Sequence, residues 1–388
     1  MNSSAPIDWV ANPLFEADAG RRSSWQAVLP PAGAQTAYET ISQWPGYAET
    51  PLHDLPALAG RLGVQHIWFK DESSRFGLGS FKALGGAYAV QRLAAATDDP
   101  DKLTVICATD GNHGRAVAWG ARTFGCRAVI LIHATVSEGR AGAIAAYGAD
   151  VRRVDGTYDD SVRAAQQLAD EHGWHVVSDT SYAGYIDIPR DVMQGYTVMA
   201  HEALNQLPGA AGPPTHLFLQ AGVGAFAASV VATVADELLP DLPVFVAVEP
   251  EAAACVLSSL RNGRRSDVDG DLETIMAGLS CGEVSTLAWD ILAPLLTGAM
   301  TLPEADVPAA MRHLAHGDWS ARPIVAGESG VAGLAGAIRA CGDEALRREL
   351  RLGSESRILV FGTEGATDPT LYRELVGVAA DDVVRAAG

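Results

Sequence analysis

From about residue 60 the chain alternates short apolar runs with longer stretches of helical spacing. Eight runs read as buried or half-buried strands: VQHIWFK, KLTVICAT, RAVILIH, DVRRV, WHVVSD, THLFLQA, PVFVAVEP and SRILVFGT. Between them lie helix-like segments such as FKALGGAYAVQRLAA, GRAVAWGARTF, EGRAGAIAAYG and YDDSVRAAQQLADEHG. Strands alternating with helices over this length predict an α/β protein with parallel sheets.

The clearest internal break is PGAAGPPT at 208–215, rich in turn formers. A second polar stretch, RNGRRSDVDGD at 261–271, reads as a surface loop. Two α/β regions flank residue 210, which predicts two lobes with a cleft between them. Clefts at the carboxyl ends of parallel strands are where such folds bind ligands.

Composition narrows the function classes. The chain has 388 residues and a formal net charge of −19. Nucleic acid and anionic membranes are therefore excluded as expected partners, since both need a basic footprint. Five scattered cysteines without a C-x-x-C pair suit reduced thiols in the cytoplasm, not a disulfide frame or a metal site. The N-terminal residues show neither the basic nor the apolar region of a signal peptide. Leu217 to Ala235 carries no charge, yet Gln220 and the Gly222-Val223-Gly224 turn divide it into strand, turn and helix.

Chemistry enters at Gly79-Ser80-Phe81-Lys82-Ala83-Leu84-Gly85-Gly86. A lysine at a helix start is ordinarily solvated. Here its neighbours are apolar or glycine, a setting for a desolvated amine of lowered pKa that can attack an aldehyde. Thr109-Asp110-Gly111-Asn112-His113-Gly114 follows a strand and opens a helix, where Asp110 or Asn112 suits an N-cap. Asp179 ends the run WHVVSD and taken alone suits a turn. Gly222-Val223-Gly224-Ala225-Phe226 lies between a strand and a helix, where backbone N–H groups can cradle an anion. With Glu249 at the next strand end, this loop also approaches a dinucleotide fingerprint, so an NAD-dependent dehydrogenase is a rival reading.

The motifs together resemble one family. G-S-F-K followed by glycines is similar to the lysine motif of the fold-type II pyridoxal phosphate enzymes. The longer K-D-E-S-x-R-F-G-L-x-x-F-K-x-L-G-G resembles the diaminopropionate ammonia-lyases, as do T-D-G-N-H-G, I-P-x-x-x-M-Q-G-Y, T-x-M-A-G-L-x-C-G-E and G-E-S-G. The resemblance runs from about Asn12 to Leu375.

It implies an α/β fold of two lobes, each with a mostly parallel sheet flanked by helices. Residues 1–92 and 215–388 would form the large cofactor-binding lobe and 93–214 the small one. Pyridoxal 5'-phosphate would be held on Lys82 as a Schiff base beside Phe81. Its phenolic oxygen would lie by Asn112, its phosphate on Gly222, Val223, Gly224, Ala225 and Phe226, and its ring nitrogen by Thr363.

Asp110, which stands where the wider group has serine, suits a cationic leaving group. Asp110 and Asp179 would serve opposite faces of the substrate, so that both enantiomers react. The implied reaction is β-elimination of 2,3-diaminopropionate, a small amino acid, through aminoacrylate to pyruvate and ammonia, in a cytoplasmic homodimer. Cys281 reads as a small core residue. Two departures bear on the substrate: Tyr182-Ala183-Gly184-Tyr185 stands where the family has W-E-G-Y, and Gly79-Ser80 where N-A is common. A serine or threonine dehydratase, or a β-replacement enzyme, is the alternative they leave.

Overall fold

The computed structural model describes residues 6–16, 23–109, 111–156 and 158–387. Their strands are β1 Trp9–Ala11, β2 Leu52–Asp54, β3 His66–Asp71, β4 Thr104–Ala108, β5 Arg127–His133, β6 Asp150–Val154, β7 His175–Val176, β8 His216–Gln220, β9 Val244–Pro250, β10 Gly298–Leu302 and β11 Arg357–Gly362. They build two sheets, one in the order β1-β10-β9-β8-β11-β3-β2 and one in the order β6-β5-β4-β7. The small sheet is parallel throughout, and only the edge strands β1 and β2 of the large one run antiparallel to their neighbours.

The apolar runs are continuous because the large sheet is covered on both faces. In β8, Leu217 and Leu219 join one core while Phe218 joins another. In β11, Leu359 and Phe361 face the first core while Ile358 and Val360 face the second. This is the period of two that a pleated strand imposes. The small sheet does the same: Val105 and Cys107 enter the first core, and Ile106 packs with Val129 and Leu131 under helix Tyr158–His172.

Each of the eight expected strands is present. The three missed ones are β1, β2 and β10. Gly298 opens β10 because a Cβ there would meet a Trp9 ring carbon at 2.3 Å, and that glycine disguises the strand. The uncharged run from Leu217 divides, as expected, into β8 and helix Ala225–Leu238. Among the described residues no helix is long and apolar enough to cross a membrane.

Part of the K-D-E-S-x-R motif is spent on the interior. Lys70 pairs with Glu202 at 2.7 Å, and Arg75 pairs with Glu72 at 2.8 Å and with Glu202 at 2.7 Å. All four side chains are buried. The network ties β3 and the turn after it to helix Asp187–Gln206, which packs beneath helix Lys82–Ala95.

Candidate active site

Helix Lys82–Ala95 starts where the chain leaves the end of β11's neighbour β3 and crosses beside β11. Phe81 N–H donates to Thr363 O at 3.0 Å, and Gly365 N–H donates to Gly79 O at 2.9 Å, so the helix start is fixed to the end of β11. The two glycines after the lysine have a packing reason. A Cβ on Gly85 would meet Tyr196 Cε1 at 2.5 Å, and one on Gly86 would meet Ala116 Cβ at 3.1 Å. Gly195, facing them, admits Leu84 O at 2.0 Å from where its Cβ would stand. Close contact with two helices therefore holds Lys82 in the cleft between the sheets.

Lys82 Nζ donates to Asp179 Oδ2. The side chains are 19% and 17% exposed, enough to meet a ligand and too little to be freely solvated. Asp179 is braced from its own loop. Tyr185 Oη accepts from Ser178 N–H at 3.0 Å and donates to Val176 O at 2.8 Å. Two residues on, buried Ser181 bonds Ser285 at 2.6 Å and Thr286 at 2.8 Å, at the start of helix Thr286–Leu295.

The pair's electrostatics correct one expectation. Burial is the largest single influence and pushes the Lys82 amine down, as its apolar context suggested, but Asp179, Tyr196 and Cys281 together outweigh it and hold the amine above its ordinary range. Burial likewise pushes Asp179 up, and Lys82 and His113 together more than reverse it, so this carboxyl lies well below the usual carboxylate range. Both groups are charged at neutral pH. His113, buried beside them, bonds Val177 O through Nε2 at 2.8 Å, and burial lowers its pKa.

The glycine-rich loop expected to cradle an anion lies on the cleft. Helix Ala225–Leu238 begins at Gly224, whose φ is +87° and which provides no side-chain cap. Its first N–H groups, with the helix dipole behind them, face the cleft. A Cβ on Gly222 would meet Cys281 Sγ at 3.0 Å, so the backbone alone can line this end. Phe81 and Phe226 meet edge to face at 5.2 Å beside it. The cleft encloses about 730 Å³ and is lined by Phe81, Lys82, Asn112, Asp179, the 222–226 loop and Thr363. An aromatic cofactor with a phosphate tail fits these residues: an amine for its aldehyde, an uncapped helix end for its phosphate, and phenyl faces between.

Asn112 opens helix Asn112–Phe124, and its Nδ2 donates to Glu364 Oε2 at 2.5 Å. Thr363 Oγ1 accepts from Gln220 Nε2 at 2.9 Å. Of the expected site residues, Lys82, Phe81, Asn112, Asp179, Gly222, Val223, Gly224, Ala225, Phe226 and Thr363 thus converge on one cleft. Asp110 lies outside the described residues.

Two readings are corrected. Cys281 is half-buried and lines the cleft; it is not a core residue. Glu249 faces no ligand: its two oxygens accept from Val256 and Leu257 N–H at 2.8 Å, at the start of helix Cys255–Asn262. The ribose-binding acid of a dinucleotide site is therefore absent from that position, and the dehydrogenase reading falls. Missed by sequence reasoning were Arg140, Glu328 and Glu364 on the cleft wall. Arg140 stands 3.8 Å from Glu328 and 3.6 Å from Asp368, and burial with the neighbouring Glu364 pushes Glu328 up to about 8.

The cleft, its amine and its uncapped helix start fit a pyridoxal phosphate enzyme, and residues 43–364 match the family model described as pyridoxal-phosphate dependent enzyme. The chain belongs to that family, and within it to the diaminopropionate ammonia-lyases, which makes it a carbon–nitrogen lyase. It is 41% identical over 350 residues to diaminopropionate ammonia-lyase of Escherichia coli strain K12, covering 85% of this chain and 88% of that one. The corresponding enzyme of Salmonella typhimurium is 38% identical over 358 residues, with coverages of 86% and 89%. The crystal structure of the holo Escherichia coli enzyme superposes with a TM-score of 0.88 at 37% identity, covering 96% of each chain.

Proposed function

We propose that this enzyme eliminates ammonia from 2,3-diaminopropionate, with Lys82 as the cofactor-holding amine and Asp179 as an acid–base group at the substrate's Cα. The observation that carries the reading is the contact between Lys82 Nζ and Asp179 Oδ2 on the floor of a cleft with an anion cradle. Bound pyridoxal phosphate supplies a sink for the electron pair left when the Cα proton departs.

Lys82 must give its proton up to solvent before its nitrogen can attack an aldehyde, because Asp179, held well below the usual carboxylate range, is too weak a base to keep it and stays ionised. Once Lys82 is neutral or occupied, Asp179 Oδ2 is free to take a proton from a substrate carbon placed at the same spot. Thr363 has a defined direction. Its oxygen already accepts from Gln220, so its own hydrogen is left to donate, which suits an unprotonated ring nitrogen. Loss of the Cα proton and the β-amine, followed by uptake of water, gives pyruvate and two ammonia. Asp110 serves the opposite face of the substrate in this reading, on the strength of the family motif.

The assay is pyruvate formation from D- and L-diaminopropionate, serine and threonine, side by side. We expect diaminopropionate to be turned over fastest; turnover of serine or threonine without it would replace this reading by a dehydratase. Asp179→Asn is expected to cost about 10²–10⁴-fold in kcat for one enantiomer. Equal losses for both enantiomers would end the division of labour between the two aspartates.

We also propose the remaining organisation: residues 93–214 as the smaller lobe, a homodimer, and the cytoplasm as compartment. The five unpaired cysteines support the last. Light scattering of the holoenzyme tests the dimer.

A further inference from the structure

We infer that Glu364 is a positioning residue that fixes which way the Asn112 carboxamide faces, and so presents an N–H to the phenolic oxygen of the cofactor. The inference rests on the proposed placement of Asn112 beside that oxygen.

Glu364 follows Thr363 at the end of β11 and is 5% exposed. Its Oε1 accepts from the backbone N–H of Ser329 at 3.1 Å. Its Oε2 accepts from Asn112 Nδ2 at 2.5 Å and from Thr367 Oγ1 at 3.2 Å. Both oxygens are therefore acceptors. A carboxamide has nearly the same shape when flipped, so only its partners decide which end points where. An acceptor at Oε2 draws the nitrogen of Asn112 towards Glu364. That nitrogen carries two hydrogens: one goes to Glu364, and the other remains for the cleft.

The glutamate is itself held. A Cβ on Gly330 would meet the Glu364 backbone at 2.7 Å, and one on Gly327 would meet its Cγ at 3.0 Å. The G-E-S-G segment thus closes around this side chain, and its serine provides the N–H that fixes Oε1. The contact also spans the cleft. Asn112 belongs to the helix beside the small sheet, and Glu364 to the end of a large-sheet strand.

Glu364→Gln separates this role from bulk. The Ser329 N–H cannot turn, so it holds the new amide by its carbonyl and leaves the NH₂ facing Asn112. Asn112 must then flip and turn its oxygen towards the cofactor's phenolic oxygen. Two quantities read the flip: equilibrium binding of pyridoxal phosphate to the cofactor-free protein, and the pH at which the visible absorbance of the resting holoenzyme changes.

We expect Glu364→Gln to weaken cofactor binding about tenfold, the worth of one hydrogen bond to a charged group, and to move the absorbance midpoint by about one pH unit. Asn112→Ala should do the same, and the double variant should be no worse than the poorer single one. Glu364→Asp, which keeps the charge but draws it back from Asn112, should shift both readouts in the same sense by less. If Asn112→Ala shifts both readouts while neither Glu364 variant does, the role of Glu364 is overturned and Asn112 keeps its own. If Asn112→Ala shifts neither, the placement of Asn112 fails and the inference with it. Additive losses in the double variant would mean that the two residues act separately, which also overturns it.

Discussion

All three lysines of this molecule sit beside carboxylates; Lys102 meets Asp99 at the surface, and of the two interior ones, Lys70 and Lys82, only Lys82 opens onto the cleft. Lys70 is fully buried and donates to Thr50 O at 2.7 Å, Glu202 Oε2 at 2.7 Å and Gln206 Oε1 at 3.0 Å. Its three N–H donors are used. Lys82 has Asp179 as its hydrogen-bond partner and keeps the rest of its amine towards the cleft. The direction of their pKa shifts reverses the ordinary expectation. Burial pushes Lys70 down despite Glu202 and Glu72, and Arg75 competes for the same carboxylates. Lys82 lies above its usual range because Asp179, together with Tyr196 and Cys281, outweighs its burial. Each shift follows the charged groups packed around its amine, and what sets Lys82 apart is its place on the wall of the cleft.

The largest effect should follow from removing the open lysine. Lys82→Ala is expected to lower kcat by more than about 10⁴-fold, as loss of a nucleophile does. It should also end borohydride fixation of pyridoxal phosphate to the protein, measured by mass spectrometry of the reduced holoenzyme. Fixation at any other lysine would break the contrast between the two.

The closed network should answer in stability instead. Glu202 accepts from Lys70, from Arg75 at 2.8 and 2.7 Å, and from Tyr47 at 2.9 Å. Glu202→Gln leaves two buried cations against the single charge of Glu72. We expect a loss of about 3–5 kcal/mol in urea unfolding, with activity per folded molecule unchanged. A stable but inactive Glu202→Gln protein would show that the network reaches into the chemistry.

The same contrast explains what could be read from the sequence. That Lys82, Asn112, the 222–226 loop, Asp179 and Thr363 share one cleft was legible because each sits at a strand end or helix start, where a short motif carries the turn. Strands with apolar runs were legible for the same local reason. Hidden features needed partners far along the chain: Glu364 meets Asn112 across 252 positions, and Glu202 meets Lys70 across 132. Cys281 misled because a small apolar side chain looks alike in a core and on a cleft wall. His113 was available inside T-D-G-N-H-G, but nothing local says that its ring lies beside Asp179.

The smallest effect sharpens the comparison through pH. In the cofactor-free protein Asp179 is held below its ordinary range, whereas the unfolded chain takes up that proton near pH about 3.9. Its contribution to stability is therefore whole above about pH 5 and is lost as acid carries the pH down towards the folded value. Lys82 acts at the other end. Its folded pKa is raised, so its contribution is whole below the unfolded value of about 10.4 and is lost as the pH rises beyond it. Melting of cofactor-free wild type and Asp179→Asn should then differ by a constant amount, on the order of 1–3 kcal/mol, through the neutral range. The gap should narrow on both sides of that plateau. A gap that stayed constant from pH 7 to pH 3 would mean that Asp179 is not ionised against Lys82, and the open pair would have to be redrawn as a neutral hydrogen bond.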